Sequence, residues 1–416
     1  MTGSISRRRL LGAGAASAVG ALGATALASC SSSDGQSTDV AAAASTGSVI
    51  DHLGIHQPGI VTPGPARALV AAFDTTATDI TGLRDLLREL ADETDALNAM
   101  IPFPQGDPLL PPPDNGIVGM APEPDDLTIT VALGASLFDD RFGLSERKPR
   151  ELIRMPNFPN DDPDPARSHG DLLIQICGGT DETTHHALRR LMRVSRRHLT
   201  LRWMQTGFQR PNTMGTGRTS TRNLLGFKDG TANPDATSEA LMNKIVWVQP
   251  GDDEPEWAVG GTYQVARIIR NRVEFWDRTA LRTQELIMGR HKDTGAVLGA
   301  LDEAAPPDYA SDPDGTVTPL TAHIRLANPR TPETDVNLIL RRGFSYSSGF
   351  TNDGQLDQGL LFVCFQRSLT KGFVAVQNRL NGEALEEYIR PVGGGFYFAP
   401  PGRSQRGEPF AVALTN

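Results

Sequence analysis

The sequence predicts an α+β fold made of two ferredoxin-like halves packed together. Two observations carry this. The order β-α-β-β-α-β can be read twice along the chain, once before and once after about residue 235. The apolar residues also switch between period two, as in half-buried strands, and a helical period of about 3.6. A third observation sets the scale: 416 residues with 39 % hydrophobic content can bury a sizeable core. The pattern alone does not distinguish a duplication from two unrelated α+β domains.

In the first half, Ala66 to Phe73 reads as a strand. Asp79 to Met100 reads as an amphipathic helix, with Leu83, Leu86, Leu87, Leu90 and Leu97 on or near one face. Leu127 to Leu133 alternates at period two. A Pro/Asp-rich irregular run, Pro156 to Arg167, leads to a strand over Asp171 to Cys177. Asp181 to Ser195 is a second helix with Thr180 as its N-cap, and His198 to Phe208 is a further strand. In the second half, Gly261 to Ile269 reads as a strand and Glu274 to Met288 as a helix. Val336 to Leu340 and Gly359 to Arg367 read as strands, Lys371 to Leu380 as a helix, and Gly395 to Pro400 as the closing strand. The Pro- and Asp-rich stretches Pro102 to Pro124 and Pro306 to Pro319 are loops.

The first residues stand apart from this body. Ser6-Arg7-Arg8-Arg9-Leu10-Leu11 resembles a twin-arginine export signal, and Leu11 to Ala28 is too short and Gly-rich for a permanent membrane span. Leu27-Ala28-Ser29-Cys30 resembles a lipoprotein box with Cys30 as the acylated residue; a plain signal peptide cleaved nearby is the alternative. Ser31 to Thr46 reads as a flexible tether. The expected organisation is therefore a signal with lipobox over 1–30, a tether over 31–50, an N-terminal half over 51–235 and a C-terminal half over 236–416. Only Cys177 and Cys364 remain in the body, each in an apolar run, and both read as buried free thiols. A net charge of -9 with no basic stripe argues against nucleic acid as a partner.

The chemistry centres on Gly226-Phe227-Lys228-Asp229-Gly230-Thr231-Ala232-Asn233-Pro234, which reads as a loop. Asp229 is a carboxylate next to Gly230, and glycines let a backbone turn sharply or approach a ligand closely. A bare Asp-Gly is usually a surface turn. The whole nonapeptide, however, resembles the GxxDG signature of the dye-decolourising peroxidases, a family of bacterial and fungal haem peroxidases. That resemblance implies haem b as cofactor, held in the C-terminal half of a pseudo-duplicated α+β barrel. It places Asp229 over the distal face, with Gly226, Phe227 and Gly230 around it.

Spacing alone does not choose an iron ligand among eight histidines. The segment His323-Ile324-Arg325-Leu326-Ala327-Asn328-Pro329-Arg330 resembles the family's proximal-histidine segment, which implies His323 as the axial ligand and Arg325 as a neighbouring cofactor-binding residue. Leu340-Arg341-Arg342 offers a distal cation; adjacent strand residues face opposite ways, so one arginine enters the pocket. The resemblance favours Arg341, with Arg342 as the fallback. Glu383 to Tyr388 resembles the family's acidic segment before the last strand, which implies a carboxylate for the proximal imidazole; Glu383 and Glu387, four apart, would share a helix face, and Glu387 is preferred.

Further stretches, among them His56 to Ile60, Met155 to Pro159 and Asn381 to Tyr388, resemble the exported deferrochelatase/peroxidase branch of bacterial iron-uptake systems. The resemblance covers nearly all of the chain after about residue 50. It implies hydrogen peroxide as oxidant, an organic reductant or haem as second substrate, iron-uptake components as partners, and a homo-oligomer. Three readings stand side by side: a haem peroxidase, a deferrochelatase that releases iron from haem, and a non-enzymatic lipid-anchored binding protein. All three work in the cell envelope after export: lipid-anchored on the outer face of the cytoplasmic membrane through Cys30, or free in the periplasm or medium.

Overall fold

The computed structural model describes residues 47–102, 106–210 and 220–416. The export signal, Cys30 and nearly all of the tether lie outside the described residues, as does 211–219, just before the Asp229 motif.

In the N-terminal half the elements are β1 (Arg67–Thr75), α1 (Ile80–Asn98), β2 (Thr128–Gly134), β3 (Leu172–Gly178), α2 (Asp181–Val194) and β4 (Leu199–Phe208). Both helices start on side-chain caps: Asp79 Oδ1 accepts from Gly82 N at 2.8 Å, and Thr180 Oγ1 accepts from Thr183 N at 3.3 Å. In the C-terminal half the elements are β5 (Thr262–Asn271), α3 (Leu281–Met288), α4 (His323–Ala327), β6 (Phe344–Phe350), β7 (Leu356–Gln366), α5 (Ala375–Leu380) and β8 (Ile389–Ala399).

All pairings between these strands are antiparallel. The N-terminal strands lie in the order β4-β1-β3-β2, and the C-terminal strands in the order β8-β5-β7-β6. Both are the same permutation, fourth-first-third-second, so the two halves share one ferredoxin-like topology. They join edge to edge at two short seams. Phe208 of β4 pairs with Ser345 of β6, and Tyr397 and Phe398 of β8 pair with Gly134 and Leu133 of β2. The sheet thereby closes on itself as a barrel, which removes its long free edges.

Alternation along β1 shows the two sides. Ala68, Val70 and Ala72 join Tyr346, Leu361, Val363 and Tyr397 in the core shared by both halves. Leu69, Ala71 and Phe73 face outward into the leucines of α1. Cys177 and Cys364 are both free and buried, as expected.

Two sequence expectations fail here. Val336 to Leu340 is not a strand: Pro332–Asn337 forms a 3₁₀ turn, with Thr331 and Thr334 closing a capping box around a proline in its first turn. Only Leu340–Arg341 pairs, with Phe365 and Cys364 of β7. The helix expected over Glu274 to Met288 is broken into Val273–Trp276 and α3. Gln284 Nε2 donates to the carbonyls of Trp276 and Thr279 at 2.9 Å each, satisfying acceptors that the break leaves open.

Candidate active site

The two halves cover the outer faces of their sheets differently. In the N-terminal half, Leu83, Leu86, Leu87 and Leu90 of α1 fill the space above β1. In the C-terminal half the covering helices are short and leave a cavity. Arg267 and Ile269 of β5 and Leu360 and Phe362 of β7 line its sheet side, and Met288, Ile324, Val376 and Leu380 line its helix side. The interior measures about 260 Å³, and about 1630 Å³ of atom-free space is present when the mouth is counted.

His323 is the first residue of α4 and lines this cavity. Its Nδ1 lies 2.8 Å from Glu383 Oε2 and 3.0 Å from Oε1. A carboxylate only accepts, so Nδ1 carries a proton, and in the neutral imidazole Nε2 keeps its lone pair. Among the described residues Nε2 has no hydrogen-bond partner. Burial lowers the affinity of the imidazole for a second proton, but the charge and hydrogen bond of Glu383 outweigh it and raise the pKa above the ordinary histidine value. The side chain is 28 % exposed while Glu383 is 3 % exposed, so the imidazole meets the cavity and the carboxylate lies behind it.

Asp229 and Arg341 line the same cavity. Arg341 Nη1 donates to Asp229 Oδ1 at 2.8 Å, and Asp229 Oδ2 has no partner among the described residues. Asp229 lies in a two-residue hairpin strand, with Thr221 opposite it, rather than in free loop. Gly226 and Gly230 bracket it at φ +87° and +104°, conformations that glycine adopts without strain. The hairpin is braced from outside. Lys228 pairs with Glu303, Thr231 Oγ1 donates to Glu303 Oε1 at 2.8 Å, and Trp276 Nε1 donates to the Leu225 carbonyl at 2.9 Å.

The structure thus brings Asp229, Gly230, Phe227, Arg341 and His323 together around one space. Phe227 is buried with its ring 6.0 Å from Trp276, edge to face. Gly226 sits behind the hairpin, where an added Cβ would lie 2.6 Å from the Lys292 side chain; it shapes the turn and does not line the cavity. Arg342, the fallback for Arg341, is buried and donates to the carbonyls of Thr62 (2.5 Å) and Pro63 (3.0 Å), so Arg341 is the one that faces Asp229.

Two expected site residues are corrected. Glu387 is exposed, and the partner of His323 is Glu383. The expectation placed both glutamates on one α-helical face, but Ala384–Glu387 is a 3₁₀ helix. Its period of three separates positions four apart. Arg325 does not line the cavity. On α4 it follows His323 by two positions, about 200° around the helix, and it is held by Asp312 Oδ2 at 3.1 Å and the Thr318 carbonyl at 2.8 Å.

Sequence reasoning passed over other lining residues. Arg267 is fully buried beside the cavity, paired with Asp161 and hydrogen-bonded to Gln377 Oε1 at 2.8 Å. Burial holds its pKa below the usual arginine range, against the opposing charge of Asp161. Its Nε has no partner among the described residues. A signal was present: Arg267 interrupts the otherwise apolar alternation Val265, Arg267, Ile269.

These features fit a haem b. Apolar walls suit the macrocycle, the wall cations Arg267 and Arg290 suit its carboxylates, and one oriented imidazole suits a single bond to iron. Ligand clefts measure ~300–1,000 Å³; the interior here, about 260 Å³, lies just below that range and continues into an open mouth. Among the described residues no three His, Cys, Asp or Glu side chains gather as ligands for a bare metal ion.

Comparison with known proteins places the chain among haem peroxidases of one family. Residues 57–209 match the N-terminal model of the Dyp-type peroxidases, and residues 220–404 match the C-terminal model. The deferrochelatase of Escherichia coli K12 is 52 % identical over 363 residues, covering 87 % of this chain and 86 % of that protein. The deferrochelatase of Shigella flexneri is 51 % identical over the same length. Among solved structures, ferric DtpA from Streptomyces lividans is 34 % identical with a TM-score of 0.79, covering 89 % of this chain and 97 % of that one. A DyP-type peroxidase from Cellulomonas bogoriensis is 33 % identical with a TM-score of 0.79, covering 89 % and 98 %. A fold built from two ferredoxin-like halves, a cavity in the second half and a match along both family models lead to one conclusion: the chain belongs to the Dyp-type peroxidase family.

Proposed function

We propose that the chain is a haem b peroxidase in which His323 would hold the iron, Asp229 would move the peroxide proton and Arg341 would stabilise the departing oxygen. The observation that carries this is the presence of two oriented pairs, His323–Glu383 and Asp229–Arg341, in the wall of one cavity. When bound, haem supplies an iron centre that takes up the oxidising equivalents of hydrogen peroxide and passes them to a reductant. Glu383 fixes the His323 tautomer and raises the electron-donating power of Nε2. The free Oδ2 of Asp229 accepts a proton from one peroxide oxygen and returns it to the other, as general base and then acid. The Arg341 guanidinium, always charged, stabilises the negative charge that grows on the leaving oxygen.

A second reading, release of iron from haem, is favoured by the 52 % identity to a deferrochelatase. It would use the same cavity, with haem as substrate. The purified holoprotein decides between them. Peroxide consumption with oxidation of an organic reductant and retention of the Soret band supports the peroxidase; iron loss with the red fluorescence of free porphyrin supports the deferrochelatase. Absence of any Soret band after haem is supplied would contradict both. The motif at Arg7 to Arg9 and the lipobox at Cys30 support export and anchoring at the outer face of the cytoplasmic membrane, where proteins of iron uptake work.

A further inference from the structure

We infer that Asn233 is the positioning residue that fixes Arg341 for peroxide cleavage, its side-chain amide standing in for a missing neighbouring strand. The inference rests on the role proposed for Arg341 above. Among the described residues, Leu340–Arg341 is the outermost strand of the sheet, with only β7 beside it. On its open side no strand among the described residues holds the peptide groups. Asn233 holds them instead. Its Oδ1 accepts from Arg341 N at 2.9 Å, and its Nδ2 donates to the Arg341 carbonyl at 2.9 Å. A primary amide offers one acceptor and one donor side by side, the same complement that a paired strand residue offers. A carboxylate has no donor, and alanine has neither.

The other end of the clamp is equally defined. Asn233 N donates to the Gly230 carbonyl at 2.9 Å, closing a turn that begins directly after Asp229. One turn therefore holds the same arginine twice, Asp229 at the guanidinium and Asn233 at the main chain. The two holds differ in what catalysis demands of them. The Asp229–Arg341 pair must open for peroxide to enter between its members, and at 28 % and 32 % exposure it is a screened, weakly held pair. The amide clamp need not open. It keeps the Arg341 main chain at a set distance from Asp229 while the ion pair parts.

The test compares the wild-type holoprotein with Asn233→Ala, Asn233→Asp, Arg341→Leu and the Asn233→Ala/Arg341→Leu double variant. Two quantities are measured: the rate of reaction with peroxide by stopped flow, and the fluoride dissociation constant of the ferric protein by absorbance. Fluoride is an anion that a correctly placed cation retains, so it reports on Arg341 without turnover. Asn233→Ala should slow the peroxide reaction about 10- to 100-fold, the scale of an ångström-sized misplacement. It should weaken fluoride binding as Arg341→Leu does, and add nothing in the Arg341→Leu background. Asn233→Asp, nearly the same shape, should show the same loss and serves where Asn233→Ala loses haem. Wild-type fluoride affinity in both Asn233 variants, or losses that multiply in the double variant, would overturn the inference. An Arg341→Leu variant with wild-type rate and affinity would overturn the role of Arg341 itself.

Discussion

At the scale of single residues, some groups touch the cavity and others act from behind. His323 touches it, so His323→Ala should lose most of its bound haem, whereas replacement of any other histidine should keep it; the Soret absorbance per protein measures this. Glu383 acts from behind through its hydrogen bond. Glu383→Gln should keep the haem but raise its ferric/ferrous potential by on the order of tens of millivolts, because a neutral amide leaves the imidazole a weaker donor. Glu387→Gln should leave the potential unchanged, since Glu387 faces solvent. Redox titration followed by absorbance separates the two. The motif around Asp229 was legible in the sequence because the whole nonapeptide Gly226 to Pro234, not the Asp-Gly pair alone, carries the family resemblance. The choice of Glu383 over Glu387 was not, because it depends on a 3₁₀ rather than an α-helical period.

At the scale of elements, the Pro/Asp-rich run that reads as a plain loop becomes part of the cavity wall. Asn160 Nδ2 donates to the Ile389 carbonyl at 3.0 Å, and Asp161 pairs with the buried Arg267 of β5. Removing one member leaves a buried charge alone, so Asp161→Ala should cost about 3–5 kcal/mol of stability. The joint change Asp161→Leu with Arg267→Met should recover most of it, as thermal unfolding would show. The neighbouring His169 gives this region a pH dependence. Burial, reinforced by Arg154 and Arg202, holds its pKa down to about 4, against an ordinary value of 6.5. Between those values the unfolded chain binds a proton that the folded chain refuses, so stability falls as pH drops from about 6.5 to about 4. His169→Asn tolerates the φ of +62° and should flatten this fall; urea midpoints at pH 7 and pH 5 test it. Strands and long helices were legible because alternation and the leucine stripe of α1 directly reflect burial. Val336 to Leu340 misled because an apolar β-branched run does not reveal that Pro332 has already started a 3₁₀ turn.

At the scale of the whole molecule, one topology is used twice and put to different ends. The N-terminal half fills its outer face with α1 and is a packing unit. The C-terminal half breaks its first helix, shortens the others and opens a cavity in the corresponding place. The repeated order was legible in the pattern of elements; the barrel came only with the family resemblance, because the two seams rest on three residue pairs without a pattern of their own. The role proposed for Cys30 belongs to this scale as well. One acyl chain binds membranes only marginally, so stable anchoring needs the further chains that bacterial lipoproteins carry. Cys30→Ser should move the exported protein from the membrane fraction to the soluble fraction on cell fractionation. Equal partitioning of both proteins would remove the lipid anchor from the account.

In the proposed mechanism Asp229 moves the proton and Arg341 stabilises charge over a haem held by His323. Stopped-flow measurement of the ferric holoprotein reacting with peroxide across acid pH tests it most directly. General-base help is typically worth ~10²–10⁴ in rate, and one preorganised charge-stabilising donor about 10²–10³, so the shape of the profile decides where magnitude does not. Asp229→Asn should slow the reaction and abolish the acid limb. Arg341→Leu should slow it and keep the limb, because arginine does not titrate there. An acid limb intact in Asp229→Asn would contradict the account and leave Asp229 a structural residue of its hairpin.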